Sequence, residues 1–209
     1  MSEIAKRLNQ CMKPNGELGK IVADDMNKSH FELTGWGLEK ININPQDIIL
    51  DIGCGGGRTV NRLASIAKEG EVFGIDYSMD CVKWSKDYNE ELIKDGRVEI
   101  IHASVEKIPF EDNKFDVISA VETIYFWPDL LQNLKEVKRV LKPSGKLVII
   151  CEMYSSEKFK ERNDECVSAS NMKIYTPEEL KDIVKVAGYS DIKIDLVEEK
   201  NWLCCIGEK

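Results

Sequence analysis
The sequence has no apolar run long enough to cross a bilayer: stretches such as Leu147-Val148-Ile149-Ile150-Cys151 fall far short of the roughly 20 residues a spanning helix needs. Met1 to Arg7 shows neither the apolar stretch nor the small-residue cleavage site of a secretion signal, so the expected location is the cytoplasm. Cys-x-x-Cys does not occur, and seven cysteines, an odd number without repeated spacing, argue against a disulfide framework. The two histidines, His30 and His102, lie far apart in sequence, and no metal site is expected. Cys204 and Cys205 are adjacent, but neighbours on a strand point to opposite faces, so both are read as small buried apolar residues. There is no excess of positive charge either. With 37 acidic and 29 basic residues the net charge is −8, which disfavours a phosphate-backbone partner. Runs of like charge, repeats and low-complexity segments are also missing, which excludes an obvious tail or linker.

What is present is an ordinary globular mixture, 43% apolar and 32% charged, in a chain of 209 residues that can bury a core without covalent staples. Strand-like runs occur at Asp47–Asp51, Glu71–Asp76, Arg97–His102, Phe115–Val121 and Lys146–Cys151. Helical segments fall between several of them: Gly57–Ala67, a segment that Ser78 can cap, and a stripe of Leu130, Leu131, Leu134, Val137 and Leu141 that Lys142-Pro143-Ser144-Gly145 stops. Thr176-Pro177-Glu178-Glu179 is a capping box with proline at the first helical position, and Gly188 ends that helix. Two closing strands, about Asp191–Val197 and Trp202–Ile206, flank the turn Glu198-Glu199-Lys200-Asn201. At the other end, Leu18, Ile21, Val22 and Met26 share one helical face, and Thr34-Gly35-Trp36-Gly37-Leu38 reads as a turn before a short helix.

Alternating strands and helices require parallel pairing with right-handed crossovers, while the short final connection forces an antiparallel pair. The expected fold class is therefore α/β: a doubly wound, mostly parallel seven-stranded sheet with a terminal antiparallel strand pair. Residues 1–44 are read as an N-terminal helical cap and 45–209 as the sheet domain. In such sheets ligands bind beyond the C-terminal strand ends, where the strand order reverses.

At that edge the first strand runs into Asp51-Ile52-Gly53-Cys54-Gly55-Gly56-Gly57-Arg58. Glycines permit a sharp turn and a close backbone approach, and the following helix offers unpaired N–H groups. A phosphate-binding P-loop needs Gly-Lys-Ser/Thr, which is missing. The dinucleotide fingerprint needs glycine at the position of Arg58, which weakens a nicotinamide reading and leaves it open. The Asp-x-Gly-x-Gly-x-Gly pattern is met by Asp51, Gly53, Gly55 and Gly57.

On these residues the chain resembles the class I methyltransferases, in their small-molecule methyltransferase-domain branch, over roughly residues 45–152 and in outline beyond. The resemblance implies a Rossmann-like domain binding S-adenosyl-L-methionine, with S-adenosyl-L-homocysteine as product. It implies that Asp51, Gly53, Cys54 and Gly55 surround the methionine portion. The acid ending the second strand, Asp76, then binds both ribose hydroxyls, a task suited to a carboxylate that accepts two hydrogen bonds; Tyr77 follows it. The family's Gly-Asp-Ala-x-x-Leu-Pro-Phe segment aligns with Ala103-Ser104-Val105-Glu106-Lys107-Ile108-Pro109-Phe110, so Ser104 stands where an aspartate usually meets the adenine amino group. Ser104, Val105, Glu106 and Met79 would border the adenine, and Val121 the sulfur end. Lys142-Pro143-Ser144-Gly145-Lys146-Leu147 resembles the family's Lys-Pro-Gly-Gly-x-Leu turn.

A sulfonium-bound methyl is already electrophilic, so the resemblance implies transfer by in-line displacement, the protein aligning a nucleophile and excluding water. Glu122, Tyr125 and Trp127 after the fourth strand, with Glu152 and Tyr154 after the fifth, are the substrate-facing candidates, the carboxylates suiting a cationic acceptor. Glu122, Tyr125 and His30 are the candidates for acid–base work. Asn27, His30, Phe31 and Trp36 could line the acceptor pocket. The Asn/Asp-Pro-Pro-Tyr/Phe motif of nucleobase-amine methyltransferases is replaced by Val121-Glu122-Thr123-Ile124, which points to a small-molecule acceptor, with neither nucleic acid nor membrane as partner. A monomer or homodimer is expected. An NAD(P)-dependent oxidoreductase and a cofactor-binding protein without turnover remain the alternatives.

Overall fold
The apolar runs of the sequence become the inner strands of one seven-stranded sheet in the computed structural model, which describes residues 10–170 and 172–209. Met1–Arg7 and the rest of the first nine residues of the expected cap lie outside the described residues. After a helical turn at residues 10–12, the first elements with described bounds are α1 (Gly16–Ser29) and α2 (Phe31–Leu38). Then come β1 (Ile48–Ile52), α3 (Arg58–Ile66), β2 (Glu71–Asp76), α4 (Met79–Tyr88), the short α5 (Glu90–Lys94) and β3 (Val98–His102). Next are β4 (Phe115–Val121), α6 (Leu130–Val140), β5 (Leu141–Cys151) and α7 (Lys160–Ser170). The chain closes with α8 (Pro177–Val186), β6 (Ser190–Val197) and β7 (Trp202–Glu208).

The strand order is β3-β2-β1-β4-β5-β7-β6, parallel through β5, with β7 antiparallel to both β5 and β6. From β1 the chain winds outward through β2 and β3, then returns to lay β4 on the other side of β1. The order reverses between β1 and β4, and the crevice beyond their C-terminal ends is the natural ligand site.

The inner strands are buried on both faces, as parallel sheets are. Alternate residues feed two cores: Leu50, Ile118 and Ile149 one, Ile49, Val117 and Val148 the other. Cys205 belongs to the first and Cys204 to the second, both free thiols, as the alternation predicts. Helix starts follow the capping residues. Ser78 Oγ accepts from Cys81 N (3.3 Å), and Thr176 and Glu179 exchange the two bonds of a capping box (3.1 and 2.8 Å). Ser144 takes the left-handed conformation (φ 62°) in the turn where the resembling family carries glycine.

Two expectations at the N-terminal end are corrected. Thr34–Leu38 is the second half of helix α2, not a turn. A Cβ on Gly37 would lie 2.5 Å from Ile150 Cδ1, so the bare glycine lets α2 press directly onto the sheet, and this packing outweighs glycine's poor helix propensity. On α1 the buried face is Gly19, Val22 and Ala23, whereas Leu18 (42% exposed) and Ile21 (57%) face outward. The face turned to the protein is set by Gly19, which fits against Pro14, rather than by the larger aliphatics.

Candidate active site
A cleft of about 330 Å³ opens beyond the C-terminal ends of β1 and β4, within the range typical of small-molecule sites. Its floor is the glycine turn. Gly53 and Cys54 donate their N–H groups to Ile75 O (2.8 and 3.0 Å), tying the turn to β2. Gly53 (φ 72°), Gly55 (φ 50°) and Gly57 (φ 84°) are all left-handed, a conformation that only glycine adopts freely. A Cβ on Gly53 would sit 2.5 Å from Thr123 Oγ1, whereas one on Gly55 would meet only Gly53 O at 4.0 Å. The main chain at Gly55 is thus open to a ligand from the cleft. Asp51 lies beneath the turn, buried, and accepts from Ser119 Oγ at 2.6 Å. Burial pushes its pKa up to about 7 against that hydrogen bond, and the nearby charge of Asp76 adds to the rise.

Asp76 ends β2 at the wall of the cleft. Its two oxygens accept from Gly55 N (2.9 Å) and Ser78 N (2.8 Å), which fix the carboxylate and leave each oxygen one further lone pair. Burial raises its pKa, opposed by those backbone bonds. Tyr77, Ser104, Val105 and Glu106 continue the wall. Ser104 Oγ donates to Glu106 Oε2 (3.1 Å) and accepts from Glu106 N (3.2 Å). The Glu106 carboxylate thus stands beside Ser104 at the wall of the cleft. Ile108-Pro109-Phe110 is held from behind: Glu136 accepts from Ile108 N (2.8 Å), and Arg139 donates to Phe110 O (2.8 Å) and Ile108 O (3.0 Å).

The opposite end of the cleft is formed by Asn27, His30, Phe31, Val121, Glu122, Phe126 and Trp127. Glu122 is left-handed (φ 57°), rare for a residue with a side chain, and its N–H is held by Ile150 O at 2.9 Å. Its Oε1 accepts from Tyr125 Oη (2.9 Å) and from the Glu152 N–H, while Tyr125 Oη accepts from Met153 N at 3.0 Å. Glu122 Oε2 faces His30 Nε2 at 3.9 Å, and Glu152 Oε2 stands 3.4 Å from the same nitrogen. Burial raises the pKa of Glu122. The hydrogen bond from His30 holds Glu152 below the ordinary carboxylate range. For His30 burial acts downward, but the bond to Glu152 and the charges of both glutamates outweigh it and leave the imidazole above its usual value.

Several expected site residues stand elsewhere. Met79, expected against the adenine face, is 62% exposed and does not line the cleft, because the start of α4 turns it outward. Tyr154 is buried on the far side of the β5 end, beside Tyr125 and Leu203. Tyr125 is buried too and reaches the cleft only through Glu122. Trp36 packs on Trp202 (5.8 Å between ring centroids), away from the cleft.

Arg58 and Arg62 were not anticipated as site residues. Arg58 donates to Asn27 O (2.9 Å) and Arg62 to Phe31 O (2.8 Å), and both guanidinium groups pack on the Phe31 ring (4.2 and 3.9 Å). At the other end Gly16 N donates to Asp80 (2.8 Å) and Ser78 Oγ to Pro14 O (2.7 Å). The segment from Pro14 to Phe31 is thereby strapped along the cleft. The only local sequence signal for this was two arginines one turn apart at the start of α3.

Comparison with known proteins agrees with this geometry. Residues 50–149 match the family described as methyltransferase domain. Demethylmenaquinone methyltransferase of Bacillus mycoides is 32% identical over 111 residues, 53% of this chain and 46% of that protein. 24-Methylenesterol C-methyltransferase 2 of Arabidopsis thaliana is 32% identical over 143 residues, 68% of this chain and 38% of that one. The chain thus spans half or less of the length of these curated relatives. Among solved structures, a SAM-dependent methyltransferase from Aquifex aeolicus superposes with a TM-score of 0.67 at 25% identity, covering 89% of this chain and 96% of that one.

Proposed function
Because residues 50–149 belong to the methyltransferase domain family, of the class I S-adenosylmethionine-dependent kind, we propose that the protein moves a methyl group to a small-molecule acceptor by in-line displacement. The observation that carries this reading is one continuous cleft joining three features: the open backbone of Gly55, the fixed carboxylate of Asp76 and the polar cluster at Glu122. S-Adenosylmethionine, when bound, supplies an electrophilic sulfonium methyl and leaves as S-adenosylhomocysteine.

The residues present fit that cofactor. The bare Gly53–Gly55 turn accepts the amino-acid portion, and the free lone pairs of Asp76 receive the two ribose hydroxyls. The Glu106 carboxylate, steadied by Ser104, and the Val105 N–H would meet the adenine edge. Val121 borders the sulfur end. Beyond it, Glu122 and Trp127 orient the acceptor, Glu152 acts through its contact with His30, and the strapped α1 segment with Phe126 and Trp127 keeps water from the reacting atoms. Tyr125 positions Glu122 rather than touching the acceptor. His30 faces both carboxylates through Nε2 at this end of the cleft. The quinone- and sterol-pathway names of the curated relatives support a small organic acceptor.

The test is formation of S-adenosylhomocysteine from S-adenosylmethionine across a panel of quinols, phenols, sterols and amines. Turnover with one class is the expected result. Binding of S-adenosylhomocysteine without turnover on any acceptor would reduce the protein to a cofactor binder, and tighter binding of NADH would replace the reading with a nicotinamide oxidoreductase.

A further inference from the structure
Three side chains from separate parts of the chain converge at the acceptor end of the cleft: His30 between α1 and α2, Glu122 after β4 and Glu152 after β5. One ligand atom from each can be chosen so that all lie within 4.8 Å of one another. We propose that His30, Glu122 and Glu152 form a binding site for a divalent first-row transition ion of the zinc or manganese kind, open to the cleft on one side.

The ligand set suits such an ion. Imidazole is favoured by zinc, iron and nickel, and carboxylates by manganese and magnesium, so one imidazole with two carboxylates selects borderline divalent ions. The spacing suits it too. Metal–ligand bonds of about 2.1 Å at tetrahedral angles place ligand atoms about 3.4 Å apart. His30 Nε2 and Glu152 Oε2 are already 3.4 Å apart, and the 3.9 Å from His30 to Glu122 Oε2 closes with a shift of a few tenths of an ångström.

Charge points the same way. Two carboxylates and a neutral imidazole carry −2, which a divalent ion balances, whereas one proton on His30 leaves a net negative charge in a partly buried site. The surroundings are those of a ligand shell. Glu122 Oε1 is held by Tyr125 Oη and the Glu152 N–H, which turns Oε2 toward the cluster, and Tyr125 is itself held by Met153 N. His30 and Glu122 line the cleft, so a three-ligand site here is open on that side, as catalytic rather than closed structural sites are. An ion here would offer a vacant position to water or to an oxygen of the acceptor. That use rests on the methyltransferase reading; the binding does not.

The test uses the whole protein, stripped with a chelator, without cofactor or acceptor. Co²⁺ is followed by its visible absorption and Zn²⁺ by calorimetry, in wild type, His30→Ala and Glu152→Gln, each checked for an unchanged thermal midpoint. One equivalent should bind, and each variant should weaken binding by more than about 100-fold, beyond the 10- to 100-fold typical of outer-shell changes. A Co²⁺ spectrum of low-coordinate nitrogen and oxygen ligation is expected, without the thiolate charge-transfer band that binding at the cysteines would give. No binding at about millimolar ion, or affinity unchanged in both variants, overturns the proposal. Separate titration with S-adenosylhomocysteine keeps the readings apart: cofactor binding without metal binding refutes only the metal site, and the reverse refutes only the cofactor reading.

Discussion

Asp51→Asn should make the protein more stable, increasingly so as the pH rises. Asp51 is buried below the glycine turn with its Oδ1 bonded to Ser119, and its pKa is pushed up from 3.8 to about 7. A raised acid holds its proton more tightly in the folded state, so ionising it removes stability. The loss begins above 3.8, grows with pH and levels off above about 7. With those two values and about 1.4 kcal/mol per unit, the ionisable group costs about 2 kcal/mol at pH 5 and about 4 kcal/mol at pH 8. Asparagine keeps an oxygen for the Ser119 hydroxyl and cannot ionise. The advantage of the variant should therefore widen by about 2–3 kcal/mol between pH 5 and pH 8. Urea unfolding of both proteins at pH 5, 6, 7 and 8 measures this directly, since the widening is independent of any constant effect of the asparagine. Parallel pH profiles, or a wild type that gains on the variant as pH rises, would refute the reasoning.

Other positions give sharper local tests. Gly37→Ala places a Cβ 2.5 Å from Ile150 Cδ1 and should lower stability by about 1–3 kcal/mol, read as a reduced urea midpoint, while leaving S-adenosylhomocysteine affinity within about twofold. Gly53→Ala meets Thr123 Oγ1 at 2.5 Å in a left-handed turn (φ 72°), so it should distort the cradle and weaken S-adenosylhomocysteine binding by more than about tenfold in calorimetry. Wild-type affinity in that variant would remove the turn from the cofactor site.

The sheet could be read from the sequence because its signals are local. Apolar runs bounded by turn residues mark strands, and the β2 and β4 bounds follow directly from them. The glycine turn and Asp76 were legible for the same reason: a strand end, its turn and the next strand end repeat in a fixed order. Cys204 and Cys205 fell on opposite faces because strand alternation leaves no other arrangement. What escaped was set by packing between distant segments. Gly35 and Gly37 look like turn residues until Arg62 beside the first and Ile150 beneath the second show why a helix packs there without side chains. Leu18 and Ile21 form an apolar face by periodicity, yet the helix docks through Gly19. Neither Met79 nor Tyr154 reaches the cleft, since a position beside a motif does not fix side-chain direction. His30, Glu122 and Glu152 are each legible as site candidates, the two glutamates at neighbouring strand ends, but their meeting at one nitrogen depends on how the α1–α2 junction packs over the sheet, which no local signal carries.

The central claim is that this cleft binds an adenosyl cofactor through Gly55 and Asp76, and calorimetric titration of S-adenosylhomocysteine into wild type and Asp76→Asn tests it most directly. The substitution removes the charge and replaces one accepting oxygen by an NH2 that can accept neither its backbone N–H nor a hydroxyl, a loss of at least about 2–3 kcal/mol, so affinity should fall at least about 30-fold in a variant whose thermal midpoint shows it folded. Equal affinity in the two proteins, or no binding by the wild type, would contradict the account.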